Sequence, residues 1–153
     1  MRSSRRIGRC MRAAALCGAL FVPWDAHALF IVSQPWVKPG TRNSEAYMEL
    51  TSTEGATLVG VRSSIAARVW LRGSGRQGAA LGALPLPAGA VIALRPGADR
   101  IVLTGLKRAL KRGERVVFTL EIETAPGNRE EIAVAAEVRS ESPFDAERRA
   151  HHH

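Results

Sequence analysis

Short runs in which apolar and polar side chains alternate fill most of the chain. In "AYMELTST", Ala46, Met48 and Leu50 alternate with Tyr47, Glu49 and Thr51. "ARVWLR" sets Ala67, Val69 and Leu71 against Arg68, Trp70 and Arg72, and "DRIVLTGL" sets Ile101 and Leu103 against Arg100, Val102 and Thr104. Successive side chains of a strand point to opposite faces, so each run predicts a strand with one face toward a core. "TLVGVRSS", "AVIAL", "ERVVFTLEIET" and "EEIAVAAEV" supply further strands, separated by the turn residues of "TEGA", "RPGAD" and "APGN". "APGN" joins two long runs and predicts a hairpin. Strands of this length and punctuation predict an all-β domain, an antiparallel sandwich. "LKRALKRGE" is the one stretch with helical spacing, but Gly113 and its four nearby cations make it read as a turn over the sheet edge. The tail from Ser140, "SESPFDAERRAHHH", is polar and is expected to lack regular order.

The first residues follow a different pattern. "MRSSRRIGRCMR" is basic, "AAALCGALFV" is continuously apolar, and "PWDAHA" ends in small–x–small. These three parts predict a secretory signal peptide cut after Ala28, with an apolar run too short to span a bilayer well. The organisation expected is a leader over 1–28, a β-sandwich domain over 29–139 and a polar tail over 140–153. "ALCG" places Leu16 where a lipoprotein signal carries a small residue before its cysteine. "SRRIG" is followed by Arg9, and Gly8 and Arg9 stand where twin-arginine signals carry apolar residues, so plain secretion is expected.

Removing the leader changes the charge. The full chain of 153 residues carries +8, but five arginines and one aspartate belong to the leader, leaving +4 before histidine. A nucleic-acid partner inferred from the whole-chain charge would rest partly on residues that are discarded, and none is expected. Cys10 and Cys17 also leave, so the mature domain has no disulfide, no thiolate ligand and no thiol nucleophile.

Catalytic patterns are missing as well. No histidine lies inside the domain to serve as the base of a nucleophilic triad. No glycine-rich phosphate loop follows a strand and opens a helix, and Gly73 to Gly75 read as a hairpin tip. Glu121 with Glu123, and Glu130 with Glu131, fall on strands near turns and read as solvated. A blue-copper site is excluded without cysteine. The domain is expected not to be an enzyme.

"IVSQPWVKPG…SEAYMELTS", "LVGVRSSIAARVWLR" and "PLPAGAVIALRPGADRIVLTGLKRALKRGERVVFTLEI" together resemble the periplasmic copper chaperone family PCu(A)C. The likeness runs from about Ile31 to Val138 and is most specific in "AARVWL", "LRPG" and "LTGLKRALKRGERVVFTL". It implies a cupredoxin-like Greek-key β-sandwich that carries Cu(I) on its surface. Its implied partner is a periplasmic or membrane-anchored copper-trafficking or oxidase-assembly protein. The family's metal motif is a histidine after the "ARV-L" strand, a methionine further on, and a His-x-Met leading into the "L-G-L" turn. On this chain those positions carry Arg72, Arg100 and Val102, and no methionine lies between Arg72 and Arg100. Cu(I) is soft and takes thioether, thiolate or imidazole donors. A guanidinium stays protonated and has no lone pair to give. Met48, the one methionine after the leader, alternates with Ala46 and Leu50 and reads as core. The inherited site is therefore expected not to hold copper, and the domain to bind no cofactor.

Three other candidates remain in the sequence. His151, His152 and His153 end the chain, and consecutive histidines can chelate copper or another divalent metal, against the plainer reading of a tail or tag remnant. Arg68, Trp70, Arg72 and Arg100 are expected on one face, where forked guanidiniums recognise carboxylate or phosphate and Trp70 can stack on a cation. Cleavage after Ala26 would expose His27 as an amino-terminal ligand, but Trp24 disfavours that cut. The cluster Lys107, Arg108, Lys111 and Arg112 reads as a soluble sheet edge or as a means of steering toward an acidic or anionic-membrane surface.

Overall fold

A computed structural model describes residues 29–75 and 78–151. The leader expected over 1–28, with Cys10, Cys17 and His27, and the terminal His152 and His153 lie outside the described residues. Ten strands follow in order: β1 (Phe30–Val37), β2 (Asn43–Ser52), β3 (Ala56–Arg62), β4 (Ala66–Arg72), β5 (Ala80–Leu81), β6 (Leu84–Leu86), β7 (Val91–Leu94), β8 (Arg100–Leu106), β9 (Arg115–Ala125) and β10 (Asn128–Val138). A single helix, α1 (Pro143–Ala150), ends the described chain.

The strands hydrogen-bond in the order β5-β4-β8-β2-β1-β10-β9-β3-β6, and β7 pairs with β2. The sheet rolls into a near-closed barrel, with β2 running along both β8 (from Asn43 to Ala46) and β7 (from Met48 to Thr51). The all-β class expected from the alternation holds. One pairing departs from the antiparallel rule: β1 runs parallel to β10 through Trp36 and Val37. The expected hairpin is β9–β10, paired from Arg115 with Glu137 up to the turn.

Alternation builds the core. β9 buries Val116, Phe118, Leu120 and Ile122, and β10 meets them with Val134, Ala136 and Val138. Ala46, Met48 and Leu50 of β2, Ile101 and Leu103 of β8, and Leu71 of β4 fill the other side. Met48 is 1% exposed, as its place between Ala46 and Leu50 predicts.

Two local features aim side chains. Between Ser33 and Trp36 the register of β1 against β2 shifts by a bulge, and Gln34 there has φ 51°. The bulge sets Trp36 opposite Tyr47, with ring centroids 4.6 Å apart. In β8, Gly105 has φ 68° where the strand passes β4; a Cβ there would lie 3.0 Å from the Ala67 Cβ.

The tail differs from expectation. Pro143–Ala150 is helical, with Pro143 in the first turn, Asp145 after it, and Arg148 and Arg149 in the last turn. Proline is pre-set for that first position, and the charges complement the helix dipole. After Leu106, which ends β8, "KRALKRGE" is a loop, as its glycine suggested: Leu110 bridges to Gly40, and Gly113 takes φ 87°.

Candidate functional site

The outer face of β4, β8 and β2 gathers the residues singled out from the sequence. Register pairs Arg72 with Arg100, Trp70 with Val102, and Arg68 with Thr104. On the far side of β8, Glu45 pairs with Val102 and Asn43 with Thr104. Directly opposed residues of an antiparallel ladder share a face. Arg68, Trp70, Arg72, Arg100 and Val102 therefore stand together, and Arg72, Arg100 and Val102, the positions expected from the resemblance to correspond to the copper motif, are immediate neighbours.

Each guanidinium on this face is already engaged. The Arg72 Nε donates to the Gly78 carbonyl at 2.9 Å. The Arg100 Nε donates to Glu45 Oε1 at 3.0 Å, and its Nη1 donates to the Ala98 carbonyl at 2.9 Å. The Arg68 guanidinium lies 5.7 Å from the centroid of the Trp70 ring, within cation–π range. Val102, between Trp70 and Glu45, is buried despite facing outward. Asp99, a neighbour from which an arginine partner could be expected, instead accepts the Ser74 backbone N–H at 2.8 Å.

Glu45 is the hub of this face, and the sequence reading passed over it. Its carboxylate takes Arg100 on one oxygen; the other accepts the Tyr47 hydroxyl and lies 3.5 Å from the Lys38 ammonium. Lys38 also sits 5.5 Å from the centroid of the Tyr47 ring. Burial opposes ionisation of Glu45, but hydrogen bonds from Tyr47 and Arg100 and the charges of Lys38 and Arg100 outweigh it, holding the carboxyl below its ordinary range. Burial first, then the Glu45 carboxylate beside it, push the Tyr47 hydroxyl well above the usual phenol range. A signal existed: Glu45 and Tyr47 are spaced by two on the polar side of a central strand, where a lone tyrosine beside a carboxylate suggests a buried pair.

The remaining candidates lie elsewhere. His151 is exposed at the C-terminal end of α1, its backbone N–H bonded to the Glu147 carbonyl. Among the described residues, no group of three or more histidine, cysteine, aspartate or glutamate side chains is gathered as a metal ion would need. Beside the arginine face, a cleft of about 610 Å³ opens between Trp36, Lys38 and Arg95 of the barrel and Phe144 and Arg148 of α1. No helix among the described residues is long and apolar enough to cross a membrane.

The donor set does not suit soft-metal chemistry. Guanidinium nitrogens donate hydrogen bonds and carry charge, and Val102 offers no heteroatom. What the face can do is hold an internal ion pair and present the outer nitrogens of Arg72 to an anion or to a partner's carboxylate.

Comparison with known proteins gives the family. The model of the family described as "Putative lipoprotein LpqE-like" matches residues 30–138. A curated relative from Leifsonia xyli subsp. xyli, "Putative lipoprotein Lxx21020", is 31% identical over 112 residues, a match covering 67% of this chain. The chain spans 66% of that relative's length. The fold is that of an apo PCuAC domain from PmoF1, with TM-score 0.64 and 22% identity over 75% of this chain and 100% of that one. A copper-bound PCuAC domain from PmoF2 matches with TM-score 0.62 and 21% identity, over 75% of this chain and 99% of that one. The Cu(I) form of DR1885 from Deinococcus radiodurans matches with TM-score 0.58 and 29% identity, over 75% of this chain and 82% of that one.

Proposed function

We propose, from the premise that the chain belongs to the LpqE-like, PCuAC-type family, that it is an exported, non-enzymatic member whose strand-face copper site has been replaced by an ion pair. The observation that carries this reading is the fate of the two facing arginines. Arg72 and Arg100, the residues that the sequence resemblance aligns with the family's soft-metal ligands, face each other, and their Nε atoms are spent on Gly78 and Glu45. A Cu(I) ion brought there would meet two fixed positive charges and no soft donor. The Glu45 carboxylate is a hard donor already shared among Arg100, Lys38 and Tyr47. The relatives' names as lipoproteins agree with export, and the leader pattern supports it. The domain keeps the fold as a metal-free interaction module, with the Arg68, Trp70, Arg72 and Arg100 face as its anion or partner surface.

Titration with Cu(I) against a competing chelator tests this, with and without the residues after Arg139. Neither form is expected to compete. Tight binding by the shortened form would overturn the proposal. Binding that needs the tail would favour metal capture by His151, His152 and His153 instead. The triple substitution Arg72→His, Arg100→His and Val102→Met is expected to create measurable Cu(I) binding, because it returns nitrogen and sulfur donors to three neighbouring positions.

A further inference from the structure

The end of the barrel remote from the Arg72–Arg100 pair is built from loops distant in sequence. Leu106 N–H donates to the Arg42 carbonyl at 2.9 Å, and Leu110 N–H to the Gly40 carbonyl at 2.8 Å, joining the β8–β9 loop to the β1–β2 loop. Lys107 N–H donates to Ile65 in the β3–β4 loop at 2.9 Å, and Gly113 N–H to Val138 at the end of β10 at 3.0 Å. Backbone bonds thus tie four segments into one platform. Arg42, Lys107, Lys111, Arg112 and Arg115 project from it, all exposed. None of the five is in an ion pair among the described residues.

Nearby carboxylates do not cancel this charge, because other cations hold them. Glu114 accepts from Arg108, Glu137 from Arg139 at 3.2 Å, and Glu141 from Arg149. Glu141 shares a shallow depression with Arg112, and Glu137 faces Arg115 across the β9–β10 ladder, yet neither closes on it. The excess positive charge of the domain is therefore concentrated at this end.

We propose that this platform docks on the anionic headgroup layer of a phospholipid membrane. A protein partner held tightly there would need a central apolar or aromatic anchor. The exposed large apolar side chains Leu29, Ile31 and Val91 lie toward the opposite end, while Val117 and Phe144 are single side chains rather than a patch. Headgroups ask for less: several cations held on one rigid surface within a Debye length of the phosphates. This attraction uses none of the residues of the arginine face and does not depend on whether copper binds.

Co-sedimentation of the protein, as the cell processes it, with phosphatidylglycerol/phosphatidylcholine vesicles tests the proposal. Binding is expected at low salt, falling as salt rises, and absent on phosphatidylcholine alone. The double variant Lys111→Ala/Arg112→Ala is expected to bind about 25-fold more weakly, from about fivefold per cation. Adding Arg42→Ala should weaken it further. Arg129→Ala, at the β9–β10 turn on the far end, is expected to change nothing. No binding to anionic vesicles at low salt would overturn the proposal. So would indifference to the double variant, or equal loss with Arg129→Ala. Capture by inorganic polyphosphate that such vesicles fail to compete would also overturn it, marking a soluble polyanion as the ligand.

Discussion

Arg72 and Arg100 carry like charges on facing positions of two paired strands, an arrangement that costs stability unless each finds an acceptor. Glu45 provides the acceptor for Arg100, whose side chain is only 16% exposed, so removing one partner costs more than breaking a solvated surface bridge. Glu45→Gln is expected to destabilise the domain by about 2 kcal/mol at neutral pH, since it removes a charge-assisted bond and leaves the largely buried Arg100 without its counter-charge. The folded Glu45 carboxyl titrates below its ordinary value of 4.5, so its contribution is present above that pH and is lost as pH falls through the lower, folded value. Denaturant unfolding of the two proteins at several pH values should therefore converge in acid; a difference that persists there would count against the ion pair. Tyr47 is the chain's single tyrosine and is raised in the folded state. Its stabilising neutral form persists below the unfolded value of 10.0 and is lost only as pH climbs beyond it. Tyrosinate absorbance is expected to appear with alkaline unfolding rather than before it, and at lower pH in Glu45→Gln. At this scale the sequence was informative about chemistry that is absent: arginine and valine cannot serve Cu(I) wherever they stand. For Glu45 it offered only the Tyr47 spacing on the same strand, because a glutamate on the polar side of a strand looks solvated until Lys38 and, from a distant strand, Arg100 close around it.

Elements were legible where alternation was clean. The β9–β10 hairpin and most of β2 follow the period-two pattern, because a half-buried strand must sort its side chains by face. By contrast, Ala66 rather than Ala67 is buried in β4, and Val102 is buried beside Ile101 and Leu103 in β8. β1 was harder to read, since the bulge at Gln34 shifts the alternation and puts Trp36 in register with Tyr47. The helix α1 was missed. Its polar composition hid it, although Pro143 with Asp145 ahead of Arg148 and Arg149 is a start-and-stop pattern that could have been read. In β8, Gly105 lets the strand adopt a left-handed residue next to Ala67. Gly105→Ala is expected to cost about 1–3 kcal/mol through backbone strain, with some crowding of Ala67 added. Thermal unfolding should register this as a clear fall in Tm. An unchanged Tm would mean that β8 relaxes around the new methyl group without cost.

For the whole molecule, the distribution of charge matters more than its sum. Of the +8 formal charge, the part carried by residues 1–28 lies outside the described domain. The remainder gathers where three loops and the end of β10 are bonded together. Intact mass of the exported protein is expected to place its first residue at Leu29 with no lipid attached; a chain beginning at a lipid-bearing Cys17 would overturn plain secretion. Sequence by itself determined the all-β class, the family likeness and the residue types at positions 72, 100 and 102, because each follows from residue type and local period. Tertiary structure decided which cations stand together, which of them are neutralised, and that Glu45 holds Arg100. Those outcomes depend on strand register and loop contact between residues far apart in the chain, and distances of that kind are fixed only when the sheet closes.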